Sequence, residues 1–230
     1  MDGANARFMA GKTAWLQRHL IVYNVFKTGD SNPFEQGLGT ANTELDVQEF
    51  DLRKIGGIHM NGGQGKEYEL RWIDEWVGRG RDAKAREKGS NTHPIRAYFL
   101  PWGSNRSFVG KLGNKADFFF TPTLNGCTFA YTDNGAAPSV GHANFRNPAT
   151  DLADQNAVNI DLIQKFGAMP PNRLIKTDYK RQPIGTEDYR ATVIGIRSGG
   201  GWRFYYQNYM ADKPIDGPLT RTGLDMCQEI

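Results

Sequence analysis

The 230-residue chain balances 28 basic against 25 acidic residues, a formal net charge of +3, which argues against a nucleic-acid partner. Its apolar residues are interrupted throughout, with no stretch near the ~20 needed to span a bilayer, so a soluble chain without a membrane partner is expected. The length suits one domain, residues 1–230, built on one sizeable core.

With 27 Gly, 13 Phe and 9 Tyr, the composition predicts many short strands joined by tight turns and a minority of helix. The opening "MDGANARFMAGK" is acidic and polar and lacks the charged-then-apolar order of a secretory signal; Sec export is not expected, and specialised secretion stays open. Phe8, Trp15, Leu16, Leu20 and Tyr23 recur at near-helical spacing within Ala4 to Phe26, a helix whose second half, "LIVYNVF", fits a strand equally well. "FKTGDSNPFEQGLGTANT" reads as an irregular connection. Leu45 and Val47, then Tyr68, Leu70 and Trp72, alternate with polar residues as half-buried strands do. Between them "KIGGIHMNGGQGKE" reads as a glycine-rich loop. It lacks the Lys-Ser/Thr ending of a phosphate cradle. "GRGRDAKAREKGSN" (Gly78 to Asn91) reads as a solvated basic loop.

"IRAYFLPW" and "ADFFFT" are short enough for central strands. Asp151 to Phe166 reads as a second helix with Leu152, Ala153, Val158, Ile160, Ile163 and Phe166 on its apolar side, Thr150 or Asp151 as its cap, and Gly167, Pro170 and Pro171 as its stop. "YRATVIGIRSGGGWRFYYQNY" closes the chain as two strands around a Gly-rich turn.

Two cysteines are present, Cys127 and Cys227. Cys227 sits in the polar tail "LDMCQEI", and both are read as thiols rather than as a bridge. A thiol is most often a small buried hydrophobe; Cys127 has more to recommend it. Asn134-Gly135 in "TDNGAA" can both take the positive φ of a type I′ turn. A two-residue loop there would set Cys127 opposite His142, with Cβ atoms ~5 Å apart on one face. Pro138 cannot donate to a ladder and marks an edge or a bulge. An imidazole beside a thiol can accept its proton. Gly126 lets backbone approach closely, so the N–H of Cys127 and a neighbour are candidate oxyanion donors. His19, His59 and His93 are scattered without ligand spacing, so no metal site is expected.

"AYFLPWG", "ADFFFTPTLNGCTFAY" and "GHANF" together resemble Burkholderia lethal factor, a glutamine deamidase toxin with a Leu-Ser-Gly-Cys signature followed by a His. The cytotoxic necrotizing factor catalytic domain and the bacterial chemoreceptor deamidases share the constellation. The resemblance runs from about Ile95 to Phe145 and returns faintly over "VIGIRSGGGWRFYYQ". It implies an α/β fold of the α+β type, with compact mixed β-sheets forming a sandwich-like core flanked by helices and long loops. It also implies a catalytic set of Cys127, His142 and Thr121, the last at the position of the family Thr six residues before the Cys. Leu124, Asn125 and Gly126 would form the supporting loop, with Asn125 replacing the family Ser. No cofactor and no metal are implied.

The implied reaction is attack of the Cys127 thiolate on a Gln carboxamide, with His142 protonating the departing ammonia and water then releasing Glu. Thr121 would orient His142 or bond near the nucleophile. The partner implied is a host protein carrying the target Gln, such as a translation-initiation RNA helicase or a Rho-type GTPase. The chain would be a monomeric bacterial toxin or effector acting in the host cytosol, with the loops at Gly56 to Glu67 and Gly78 to Asn91 as selectivity candidates. Two alternatives stand beside it: transglutamination on the same thioester, and a non-catalytic binding protein that keeps a structural Cys.

Overall fold

The computed structural model describes residues 3–23, 40–60, 63–73, 93–179, 188–212 and 220–230. Two β-sheets pack face to face and each carries a helix on its outer side, an α+β sandwich. Helix α1 (Ala4–Leu16) leads into β1 (His19–Val22), so the ambiguous "LIVYNVF" begins as strand. The larger sheet is completed by β2 (Val47–Met60), β3 (Gly63–Trp72), β4 (Ile95–Phe99), β6 (Phe118–Phe120), β10 (Asp188–Ser198), β11 (Gly201–Asp212) and β12 (Thr220–Glu229). Its strand order is β1-β3-β2-β12-β11-β10-β6-β4. Val47 to Phe50 of β2 also pair with Tyr98 to Ile95 of β4, so the sheet curls back on itself through this one long strand. The smaller sheet is antiparallel, in the order β5 (Arg106–Lys111), β8 (Ser139–Asn144), β7 (Thr128–Tyr131), β9 (Asn172–Leu174).

Three consecutive phenylalanines explain why β6 sits deep in the molecule. Side chains alternate across a strand, and here both faces are covered: Phe119 enters the cluster between the sheets with Phe129 and Phe204, while Phe118 and Phe120 join Phe8, Trp15 and Leu16 of α1. The same division splits Tyr98 from Ala97 and Phe99, and Val193 from Ile194 and Ile196. A strand buried on both faces reads as a continuous apolar run, which is what "AYF", "FFF" and "VIGI" are.

Helix α2 (Gln155–Phe166) covers the outer face of the smaller sheet, packing Val158 and Leu162 on Ala130 and Ala143. Its cap is Asp154, whose side chain accepts from Ala157 N–H at 3.0 Å, rather than Thr150 or Asp151. Gly167 ends it in the left-handed conformation at φ 81°. The expected apolar side is corrected: Ile160 and Ile163 are exposed at 59% and 42%, and Leu162, not among the expected residues, is fully buried.

A second correction concerns "KIGGIHMNGGQGKE". Its described residues continue β2 and β3 as an antiparallel pair, with Ile58 opposite Gly65 and His59 opposite Gln64. Glycine is tolerated there because the pair is a long hairpin with a register shift between Lys54 and Gly56. The expected basic loop at Gly78 to Asn91 and most of the irregular connection after Phe26 lie outside the described residues. Among the described residues, no helix is long and apolar enough to cross a membrane.

Candidate active site

Two strands from different sheets meet at a polar island between them. Thr121 follows β6 directly and His142 lies in β8; both are fully buried. Thr121 Oγ1 stands 2.9 Å from the Leu100 carbonyl oxygen and 2.7 Å from His142 Nδ1. A hydroxyl has one proton, and the Leu100 carbonyl can only accept. The Thr121 proton therefore goes to Leu100, and His142 Nδ1–H donates to Thr121. This tautomer leaves the lone pair on Nε2, a buried atom without a hydrogen-bond partner among the described residues. Burial lowers the pKa of His142 from 6.5 to about 3, so the ring is neutral at ordinary pH.

The hairpin that carries Cys127 toward His142 differs from the expected one. Asn134 and Gly135 do not take positive φ. The turn is instead Asn134 to Ala137, closed by Ala137 N–H to Asn134 O at 3.1 Å, with Thr132 N–H bonded to Ser139 O at 3.0 Å. His142 pairs with Phe129 and Ala143 with Thr128, a register two residues away from the expected one. Tertiary contact decided this, because the Gly135 carbonyl at the hairpin tip accepts from Trp202 N–H at 2.7 Å. A shift of two preserves the face. Cys127 is not opposite His142; it lies one residue ahead of β7, in the same buried cluster between the sheets as Phe129, the cross-strand partner of His142.

Cys127 forms no disulfide and is 2% exposed. The side chain of Cys227 lies outside the described residues. Gly126, ahead of Cys127, takes φ 90°, a conformation that only glycine adopts without strain. Leu124 exchanges backbone hydrogen bonds with Ala191 at 2.7 and 3.1 Å, tying the loop to β10. Asn125 is exposed and Gly126 half-buried, so the loop reaches the surface immediately before Cys127.

Sequence reasoning missed Tyr179, the last residue of the short helix α3 (Lys176–Tyr179). Its hydroxyl accepts from Gly126 N–H at 2.8 Å and donates to the Cys127 carbonyl at 2.8 Å. Burial, then the charge of Cys127, raises its pKa well above that of an ordinary tyrosine. Nothing in "KTDYK" marks it, since its partners are 52 and 53 positions away. The expected oxyanion donors are narrowed: the Gly126 and Leu124 N–H groups are already engaged.

His19 and His93 have partners elsewhere. His19 packs against Trp15 and Tyr68, and the His93 carbonyl accepts from Asn5. Among the described residues, no group of three metal-ligating side chains is present. Compared with protein-family models and with curated proteins, the chain matches none.

Proposed function

We propose that the protein is a protein-glutamine deamidase, converting a Gln side chain of a host protein to Glu through a thioester on Cys127. The observation that carries the reading is the imidazole of His142, locked by Thr121 with its Nε2 lone pair unpartnered on the face it shares with Cys127. Nε2 takes the Cys127 proton as the sulfur bonds to the carboxamide carbon. The imidazolium then gives that proton to the nitrogen, and the C–N bond breaks to release ammonia. Water, deprotonated by the same Nε2, attacks the thioester carbon; the C–S bond breaks and Glu leaves. The sum is carboxamide plus water giving carboxylate and ammonium, without a redox partner.

The chemistry suits a bacterial toxin or effector acting in a host cytosol, and a translation-initiation helicase is the first substrate to try. Host lysate is incubated with the wild type or with Cys127→Ser and searched by mass spectrometry for Gln converted to Glu. A site modified only by the wild type establishes the activity and names the substrate. Incorporation of an added primary amine at the same Gln would move the reading to transglutamination.

A second reading, a binding protein that keeps Cys127 as packing, draws on one observation: Cys127 is only 2% exposed. Iodoacetamide separates the two. A catalytic Cys127 is alkylated selectively in the folded protein and loses that reactivity in His142→Gln; a packing thiol reacts no faster in one than in the other.

A further inference from the structure

We infer that Tyr179 is a positioning residue for the nucleophile, its one hydroxyl bridging the two peptide groups that flank the Gly126–Cys127 bond. The inference rests on the proposed deamidase reading for its catalytic consequence, and on geometry alone for the positioning itself.

The peptide before Cys127 is not held by β-sheet pairing, because β7 begins at Thr128. Its orientation depends on Gly126, whose φ of 90° is one of two conformations that glycine visits with comparable ease. Left to itself, such a residue allows the following side chain to swing between faces. Tyr179 removes that freedom. Its hydroxyl lies 2.8 Å from the Gly126 nitrogen as acceptor and 2.8 Å from the Cys127 oxygen as donor. The two bonds close a ring through Gly126 and Cys127 and so restrict the backbone torsions between them. The ring is fully buried in the cluster that also contains Cys127, Phe129 and Leu174. Leu174 ends β9, which pairs with β7 through Phe129, and the chain reaches Tyr179 five residues later, in a helix that also contacts β10 of the larger sheet. Because the hydroxyl stays protonated, the clamp does not loosen as pH rises through the range in which a thiol ionises.

Tyr179→Phe keeps the ring and removes both bonds. With the target Gln in a peptide or protein substrate, kcat falls about 10- to 100-fold while KM is little changed, since misplacing a reacting group by about 1 Å costs that much. With His142→Gln in both proteins, so that the imidazole contributes nothing, adding Tyr179→Phe accelerates alkylation of Cys127 by iodoacetamide roughly tenfold at pH 7, because a loosened loop exposes a buried thiol. Opposite signs in the two assays mark lost positioning. Tyr131→Phe is the control: it removes another hydroxyl of this region, bonded to the Ile230 carbonyl at 2.6 Å, and changes neither rate.

Hydrogen exchange of the Gly126 amide in the wild type gives an arm that needs no variant. The clamp predicts protection like that of the neighbouring strand β7. Exchange at open-loop rate, or alkylation in the His142→Gln background that Tyr179→Phe leaves unchanged, overturns the inference. Should the wild type deamidate no substrate, amide protection and alkylation still decide the clamp, and the functional reading falls separately.

Discussion

At the scale of single residues the geometry is governed by one proton. Thr121 has only one to give, and giving it to Leu100 obliges His142 to donate from Nδ1. Thr121→Val keeps the shape but leaves Leu100 O and His142 Nδ1–H unpaired, at about 1–3 kcal/mol for each buried orphan. Urea unfolding should register that loss, and deamidation should fall at least tenfold, with Thr121→Ser recovering most of both. The neutral ring also links folding to pH. Unfolded, His142 titrates near pH 6.5; folded, it stays neutral down to about 3. The unfolded chain binds the extra proton, so this contribution is whole above pH 6.5 and is lost as pH falls toward 3, by about 1.4 kcal/mol per pH unit. The stability difference between the wild type and His142→Gln should therefore shrink from pH 7 to pH 4; a constant difference would contradict the assignment. At pH 6, nitrogen shifts of the ring should be those of a neutral Nδ1–H tautomer.

At the scale of elements, strand β6 is the part whose placement the site depends on. Gly195 of β10 is the register partner of Phe119, and a Cβ there would meet Phe119 Cβ at 2.8 Å. Ordinary cross-strand partners keep these atoms about 5 Å apart, and Cβ atoms cannot rotate away. Gly195→Ala should cost about 1–3 kcal/mol and displace Thr121, two positions after Phe119, so that activity drops more than unfolding midpoint alone explains. The doubly buried strands were legible because "AYF", "FFF" and "VIGI" have nowhere to hide a polar face. The hairpins show where legibility ends. Gly199 and Gly200 do form a two-residue turn with φ 61° and 84°, while Asn134-Gly135, with the stronger local signal, does not. The second hairpin tip is held by Trp202 of another strand, and no local pattern reports a contact that distant. Its Cys and His nevertheless share a face because the error was an even number of residues. The helix face of α2 was misjudged for a similar reason: Leu162 is buried by Ala130 and Ala143, which the helix's own periodicity does not name.

At the scale of the molecule, the core between the sheets joins buried residues from each of the strands β4 to β11. Phe119, Phe129 and Phe204 lie with ring centroids 5.3 to 5.8 Å apart, linking β6 and β11 of one sheet to β7 of the other. Removing the central ring in Phe119→Ala should cost about 3–5 kcal/mol, read as a lower denaturant midpoint, and should uncouple the sheets before it affects α2. The Thr121–His142 bond crosses the same divide. Neither sheet contains both Thr121 and His142, so on the proposed reading a chain with all its strands formed but undocked is inactive. During refolding, activity should return with the fluorescence of Trp202 and lag behind far-ultraviolet circular dichroism. On the proposed reading, thiol and imidazole would therefore become competent together, in a single late step of folding when the two sheets dock.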